Sequence, residues 1–579
     1  MTAHLPFRSI RTRTAWAGTV VCVCLSTALI ATWPLVLHPT TAIPLGTERE
    51  ATVPLFNLWS LWWTADRLAH GFAHYWDAPI FYPSKGVFAY SEPQTLTGLL
   101  VAPLWPLAAP PALIYNVAFW GLLTLNGLFA YRLARALALP PLAGLVGSVL
   151  TVTLPFIASL FGVLPFIAAF GMLWTLEGLV RFGSNGTIRS ASWGAAGFLA
   201  TYLACQQYAL LFAPFATAAG LVALAQQRFQ LRAAGRLIAV TVVMGLVISL
   251  WASPVLWVHA SLGFQRPEWV VQALSARPRD FLTRPETALL RYPPRSLADT
   301  GGLFPGGVLL GLAMAGTAVG MRDPQLRRWA SYMGAGAVVA MLFAAGLNLN
   351  LAGWRPFATL RLVMPGMDRV RSPFRFVAIG QLLLPVLAAM ALTRGRQFLG
   401  RTRSGVVMAL VGLLAAGENL SIPAPHVPIP RTPRTPWTAW LRAQPEDTVV
   451  AHVPFPAGLH VSDYEIEAWR LFAQIEHRKP MINGYSGYFP QARLPDGSVV
   501  PTYARFQLTM AEEFPNHRLL CVLDRSLGVD LLVAGREWLT HHRSQMNLHR
   551  SFLRLEYNDE FVGIFRLEAP QGECRPGTW

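Results

Sequence analysis

Along most of this chain the apolar residues come in long runs rather than in alternation. Runs of spanning length recur at about 15–37, 111–133, 139–157, 160–180, 190–207, 208–226, 236–258, 303–321, 329–351, 374–393 and 405–422. A hydrocarbon layer takes about 20 helical residues to cross, so the pattern predicts about eleven transmembrane helices. Residues 95–109, "TLTGLLVAPLWPLAA", are too short and Pro-broken to span and read as re-entrant or interfacial. After residue 422 the pattern changes. Residues 421–436, "SIPAPHVPIPRTPRTP", read as a stiff Pro-rich linker. Beyond it, "DTVVAHVPF" reads as a strand, and "YEIEAWRLFAQIEHR" as a helix with Ile466, Trp469, Leu471 and Ile475 giving a partial apolar face. "LGVDLLVAG" reads as a buried strand and "FVGIFRLEA" as an edge strand. The expected fold class is an α-helical polytopic membrane protein with a small C-terminal extracytoplasmic α/β domain. The expected divisions are a transmembrane domain over 1–422 that includes an outer loop at 38–110, a linker over 423–436, and the α/β domain over 437–579.

Composition agrees with the pattern. The chain of 579 residues is 53% hydrophobic and 13% charged, against about 25% charged in a soluble domain. Its net charge of +17 comes mostly from arginines that flank the apolar runs. No basic stripe carries interleaved aromatics, so nucleic acid is not an expected partner. Arg8, Arg11 and Arg13 precede the first run, which is too long for a signal-peptide core and reads as an uncleaved helix with its N-terminus in the cytoplasm. Every inner loop of that topology is then basic, from Arg132 and Arg135 to Arg401 and Arg403. The protein is expected in the cytoplasmic membrane, multi-pass, with residues 38–110, 259–302, 352–373 and everything after 422 outside. Arginines also sit in two outer loops, at 277–295 and 355–371. Either the topology differs there or those cations have a task outside. Of five cysteines, Cys22, Cys24 and Cys205 lie in apolar runs, while Cys521 and Cys574 can pair if their segment is extracytoplasmic.

Candidate chemistry concentrates in the first outer loop, "TEREATVPLFNLWSLWWTADRL" (47–68). Read as a helix from Val53, it places Phe56, Trp59, Trp62 and Trp63 on one side and Asn57, Ser60, Thr64 and Arg67 on the other, as in an interfacial helix. Asp66 falls within the indole stripe, where a carboxylate is either paired with an arginine from another loop or part of a site. Glu48 and Glu50 precede the helix, where acids favour an N-terminus; a carboxylate site at the membrane surface is the alternative. The loop continues "YWDAPIFYPSKGVFAYSEPQ", with Asp77, Lys85 and Glu92 among aromatics that suit a sugar face, or a packed cap. In "MDRVRSPFRF", Arg369, Arg371 and Arg375 stand where a helix enters the membrane; guanidinium groups suit phosphate, either of a lipid headgroup or of a lipid-linked sugar. "INGYSGYFP" (482–490) reads as a tight, shaped loop; its second glycine comes one position too early for a nucleophile elbow. His452, His460 and His477 lack metal spacing, and no metal ligands are assigned.

Taken together, the basic N-terminus and single helix, the acid-bearing outer loop with "NLW…WW" and "WDAPIFYP", "YN…LNGLFAYRLAR" (115–135), the polytopic core and the late "NGYSGYFP" resemble the bacterial GT-C superfamily of lipid-linked-sugar glycosyltransferases. The resemblance is sharpest at 44–135 and 452–490. It implies a polyprenyl-phosphate sugar donor, a glycan, lipid or protein acceptor, and in some members a divalent metal. It also implies a first-loop acid as general base, a role that Glu48 or Glu50 matches by position. Many relatives carry Asp there, often after glycine, whereas here Gly46 leads into Thr47, Glu48, Arg49 and Glu50. Asp66, Asp77, Lys85, Glu92, Arg369, Arg371 and Arg375 are the expected substrate-binding residues. The alternative is a non-catalytic transporter, flippase or envelope-assembly protein. A transporter should carry broken helices and mid-membrane acids. Glu177 and Glu418, the acids in or near spans, lie toward span ends.

Overall fold

The computed structural model describes residues 10–46, 49–285, 287–288, 301–399, 401–493, 499–500, 502–570 and 572–574. Glu48, Arg8, Arg291 and Arg295 lie outside them. Packing divides the chain into two compact units: Met1–Arg49, Asn116–Leu250 and Gln265–His426 form one, and Glu50–Tyr115, Trp251–Phe264 and Val427–Trp579 the other. The sequence reading grouped the first outer loop with the transmembrane helices; by packing, its residues from 50 onward go with the C-terminal segment.

All eleven apolar runs carry helix. Six helical stretches among the described residues are long and apolar enough to cross a membrane, which marks the chain as a membrane protein: Pro111–Ala136, Pro141–Ser159, Leu164–Asn185, Gln206–Gln226, Leu231–Ser261 and Pro373–Thr393. Gly18–Ala31, Thr95–Leu104 and Gly307–Arg322 are shorter apolar helices. The difference from eleven arises because several runs are shortened by turns or polar ends.

In the first unit the helix is interrupted between Pro141–Val152 and Phe170–Asn185, where only Pro155–Ser159 and the 3-10 turn Leu164–Ile167 form. Prolines 155 and 165 remove donors there. The freed backbone groups are met by buried side chains. Phe156 N donates to Gln381 Oε1 (3.1 Å), Asn126 Nδ2 to Ile167 O (2.8 Å), Ala169 N to Asn126 Oδ1 (3.1 Å) and the Tyr208 hydroxyl to Phe166 O (2.9 Å). Irregular backbone at such a place is tolerable only with partners of this kind. Glu177, fully buried, accepts from Arg132 (2.9 and 3.0 Å), Arg181 (2.9 Å) and Trp193 (3.3 Å). Glu418 accepts from Gly307 N (2.7 Å) and Val308 N (2.9 Å), capping the Gly307–Arg322 helix, and pairs with Arg284 at 3.5 Å. Both acids therefore hold helices together. The start of the Pro-rich segment is also anchored rather than free: Ala424 N donates to Trp33 O (2.7 Å) and Leu45 N to Pro425 O (2.9 Å).

Phe170–Asn185 and Ile188–Ala204 pack backbone to backbone. A Cβ on Gly178 would meet Gly194 inside van der Waals contact and Trp193 C at 3.1 Å; one on Gly197 would meet Trp174 C at 2.9 Å. Small residues at such crossings let helices approach without a hydrophobic driving force. Gly178→Leu is expected to cost at least about 1–3 kcal/mol, read as a lowered thermal midpoint in detergent. Gly235→Leu, with open space around the position, is the matched control and should stay within about 0.5 kcal/mol.

The second unit is composite. Its four-stranded sheet has the order Val450–Val453, Leu531–Gly535, Val562–Leu567, Leu553–Asn558, the first pair parallel and the others antiparallel. Val562–Leu567 is thus an interior strand, not the expected edge; Leu553–Asn558 is the edge. At the other side Val450 N donates to Pro480 O and Ile482 N to Val450 O, and residues 79–82 continue the layer: Phe81 N donates to Asn483 O (3.1 Å), Tyr82 N to Met481 O (2.9 Å) and Met481 N to Pro79 O (3.0 Å). The Thr52–Ala69 helix packs on Glu465–His477. Every residue from 54 to 64 is buried, Asn57, Ser60 and Thr64 included, so the expectation of a half-exposed interfacial helix is corrected. Trp59 Nε1 donates to Gln474 Oε1 (2.8 Å) and Trp63 Nε1 to Tyr75 O (2.8 Å): these indoles are core, held by hydrogen bonds. Cys521 and Cys574 form a disulfide.

Candidate functional site

The nominated acids fall at different places in the second unit. Glu50 precedes the Thr52–Ala69 helix and Asp66 stands near its other end, about 24 Å away by helical rise. The two do not share one cluster. Asp66 is the paired carboxylate: it accepts from Arg67 Nε (2.9 Å) and from Arg478 Nη1 (3.1 Å), an arginine from a remote segment. Arg67 also covers Trp63 at 4.5 Å. Asp77 accepts from Gly86 N (2.8 Å) and approaches His74 (3.6 Å), which ties the 77–86 loop. Lys85 is exposed and Glu92 half-buried. Asp66 and Asp77 thus each have structural partners.

Glu50 differs. It is half-buried and makes no hydrogen bond or ion pair among the described residues. Its neighbour Ala51 donates its N–H to Glu465 Oε1 (3.2 Å), and Thr52 Oγ1 donates to Val461 O (3.0 Å), so a second carboxylate stands close to Glu50. One helical turn on, Phe56 meets Tyr485 edge-on at 5.6 Å, and Tyr485 meets Tyr464 at 5.5 Å. Glu50, Glu465 and half-buried Tyr485 thus belong to neighbouring parts of the second unit, with groups that suit a hydroxyl-bearing ring. Glu465 was not legible as a neighbour of Glu50, since it reads as an ordinary first-turn helix acid.

The "INGYSGYFP" loop owes its glycines to close approach. A Cβ on Gly484 would meet the Phe81 ring at 3.0 Å, and one on Gly487 would meet Tyr90 O at 3.0 Å. Asn483 bridges His452, accepting from its N–H (2.7 Å) and donating to its carbonyl (3.1 Å), and donates to Glu467 Oε1 (3.0 Å). Glu467 also accepts from Arg470 (2.7 Å), whose other nitrogen donates to Pro454 O (2.6 Å). Of the expected apolar face, Leu471 and Ile475 are buried and Ile466 is exposed; Glu467, Arg470, Gln474 and His477 add a buried polar stripe to the same helix. Burial holds the Glu467 carboxyl above its ordinary range, with Arg470 opposing, and pushes His477 down to about 3 and His452 well below 6.5.

In the first unit the three nominated arginines also separate. Arg375 donates to Gln207 Oε1 (2.6 Å) and lies over the Phe166 ring at 4.0 Å, so it is committed to packing. Arg369 and Arg371 are half-buried and make no ion pair among the described residues. They follow the Pro356–Val363 helix, which exposes Leu362 almost fully and most of Val363; Leu351 and Trp354, before it, are about half exposed. No group of three or more His, Cys, Asp or Glu among the described residues is placed to hold a metal ion, so the divalent metal that the resemblance implies finds no ligand set in them. No protein-family model matches the chain, and no curated protein is significantly similar to it.

Proposed function

We propose that this membrane protein is a glycosyltransferase that moves a sugar from a polyprenyl-phosphate donor to an envelope acceptor at the outer face of the cytoplasmic membrane. The observation that carries the reading is Glu50, the one described first-loop acid left half-buried and without a partner, beside Glu465 and Tyr485. In this reading Glu50 takes the proton from an acceptor hydroxyl. The hydroxyl oxygen bonds to the sugar's anomeric carbon, and that carbon's bond to the phosphate oxygen breaks, the electron pair leaving with the lipid phosphate. A carboxylate fits the base. Arg369 and Arg371, which make no ion pair among the described residues and follow exposed Leu362 and Val363 in the chain, suit a phosphate that carries a lipid tail. The disulfide fits an oxidising, extracytoplasmic location for the second unit.

A transport or flipping function is the second reading, and the helix interruption over 153–169 favours it, since broken helices mark transporter sites. Against it, the interrupted segment contains no acid, and its freed backbone groups named above are already paired. The deciding experiment gives the purified protein in lipid a set of radiolabelled polyprenyl-phosphate sugars and an envelope acceptor fraction. Transfer of label is expected. A folded protein that moves label across the bilayer without transferring it would establish the transport reading instead.

A further inference from the structure

The second unit carries a groove of about 840 Å³ lined by the Arg536–Leu548 helix and by the Leu553–Asn558 and Val562–Leu567 strands. Five arginines line it: Arg536, Arg543, Arg550, Arg554 and Arg566, against one lining acid, Glu568. The sequence shows why they gather. Arg536, Thr540, Arg543, Asn547 and Arg550 recur at intervals of four and three, which puts them on one helical face. Arg536 and Arg543 are then about 10 Å apart, with Arg550 just past the helix end. On the sheet side Arg554 and Arg566 are directly opposed across the strands.

Like charges in register repel, and neighbouring anions answer them only in part. Glu556 serves both, accepting from Arg554 (2.7 and 2.9 Å) and Arg566 (3.3 Å). Arg536 donates to the neutral amide of Asn558 (3.1 Å) and to Asp559 O, and Arg550 donates to the amide of Asn547 (3.2 Å). Arg543 is exposed and makes no hydrogen bond or ion pair among the described residues. A row of cations about 20 Å long exceeds the reach of a single phosphate or carboxylate. Leu539 and half-exposed Leu555 give the groove an apolar part as well.

We propose that this groove binds a linear acidic polysaccharide, its repeating carboxylates on the arginine row and its sugar rings against Leu539 and Leu555. Single-stranded nucleic acid fits less well, because base stacking needs open aromatic faces. Phe552 is buried, Trp538 beside the groove is covered by Phe514 and His542, and half-buried Phe565 leaves one ring in the lining, too few for a run of stacked bases. A flat anionic bilayer fits less well too, since the cations line a concavity. The proposal stands whether or not the protein transfers sugars.

The test titrates the full chain, in zwitterionic nanodiscs, with oligogalacturonates of increasing length, galacturonate monomer, oligothymidine and phosphatidylglycerol vesicles. Affinity is expected to rise with oligogalacturonate length, to fall steeply with salt, and to weaken about tenfold or more in Arg543→Ala/Arg550→Ala, a loss of about 1.4 kcal/mol. The salt dependence of the unmodified protein reads the same site without relying on any variant's folding. Absent binding, length-independent binding, or oligothymidine or vesicles bound as tightly as the longest oligogalacturonate would each overturn the proposal.

Discussion

Glu50→Gln is expected to lower sugar transfer by about 10²–10⁴-fold, the contribution of a positioned general base, while leaving the thermal midpoint of the protein unchanged. The amide keeps the size of the side chain and cannot take a proton. Glu50 makes no ion pair among the described residues, so no structural partner is orphaned by the change. The contrast is Asp66→Asn. Asp66 accepts from Arg67 and Arg478, so its loss should weaken the fold of the second unit and spare chemistry on the remaining folded fraction. Glu465→Gln removes the neighbouring acid and should lower transfer much less than Glu50→Gln does. Full activity in Glu50→Gln would remove the assignment and turn attention to Glu48.

Glu467→Ala should destabilise the second unit by about 3–5 kcal/mol, the usual cost of leaving one member of a buried ion pair behind. Arg470 and Asn483 both spend hydrogen bonds on this carboxylate, and Arg470 has little water to turn to. Chemical denaturation of the intact protein, followed by tryptophan fluorescence, measures it. Replacing both members with Glu467→Met/Arg470→Met should cost much less than the single change; equal losses would show that packing, not charge, sets the effect.

The same core sets a pH response. In the unfolded chain histidine takes a proton below about pH 6.5, whereas buried His452 and His477 resist it. Their contribution is complete above that pH and is lost as pH falls from about 6.5 toward 3, by up to about 1.4 kcal/mol per unit for each histidine. Glu467 works in the opposite sense, since its raised value favours the folded state once it is protonated. His477→Gln should therefore flatten the slope of stability against pH between 5 and 6.5. An unchanged slope would mean that His477 does not stay neutral in the folded protein.

Much of the helical part was legible, because a lipid-spanning helix must satisfy its own backbone and show a continuous apolar run. All eleven runs carry helix. The local elements of the C-terminal part were legible too: the strands at Val450–Val453 and Leu531–Gly535 and the helix at Glu465–His477 follow from pattern. The site was less so. Asp66 announced its need for a partner, but its remote partner Arg478 lies 412 residues away. Glu465 gave no signal, because its nearness to Glu50 depends on the pairing of distant segments.

By itself, then, the sequence determined a membrane protein, its helical runs and its punctuation by proline and arginine, since these depend on neighbours along the chain. Tertiary structure alone decided that the tryptophan helix is core rather than surface, that residues 79–82 complete a layer begun at Val450, and that the Glu465–His477 helix turns a polar stripe inward. Burial and hydrogen-bond pairing across hundreds of residues are what separate these outcomes. The amphipathic pattern of residues 53–67 is compatible with a membrane surface and with a protein interior alike, and only the partners Gln474 and Tyr75, waiting for the indoles of Trp59 and Trp63, select the interior.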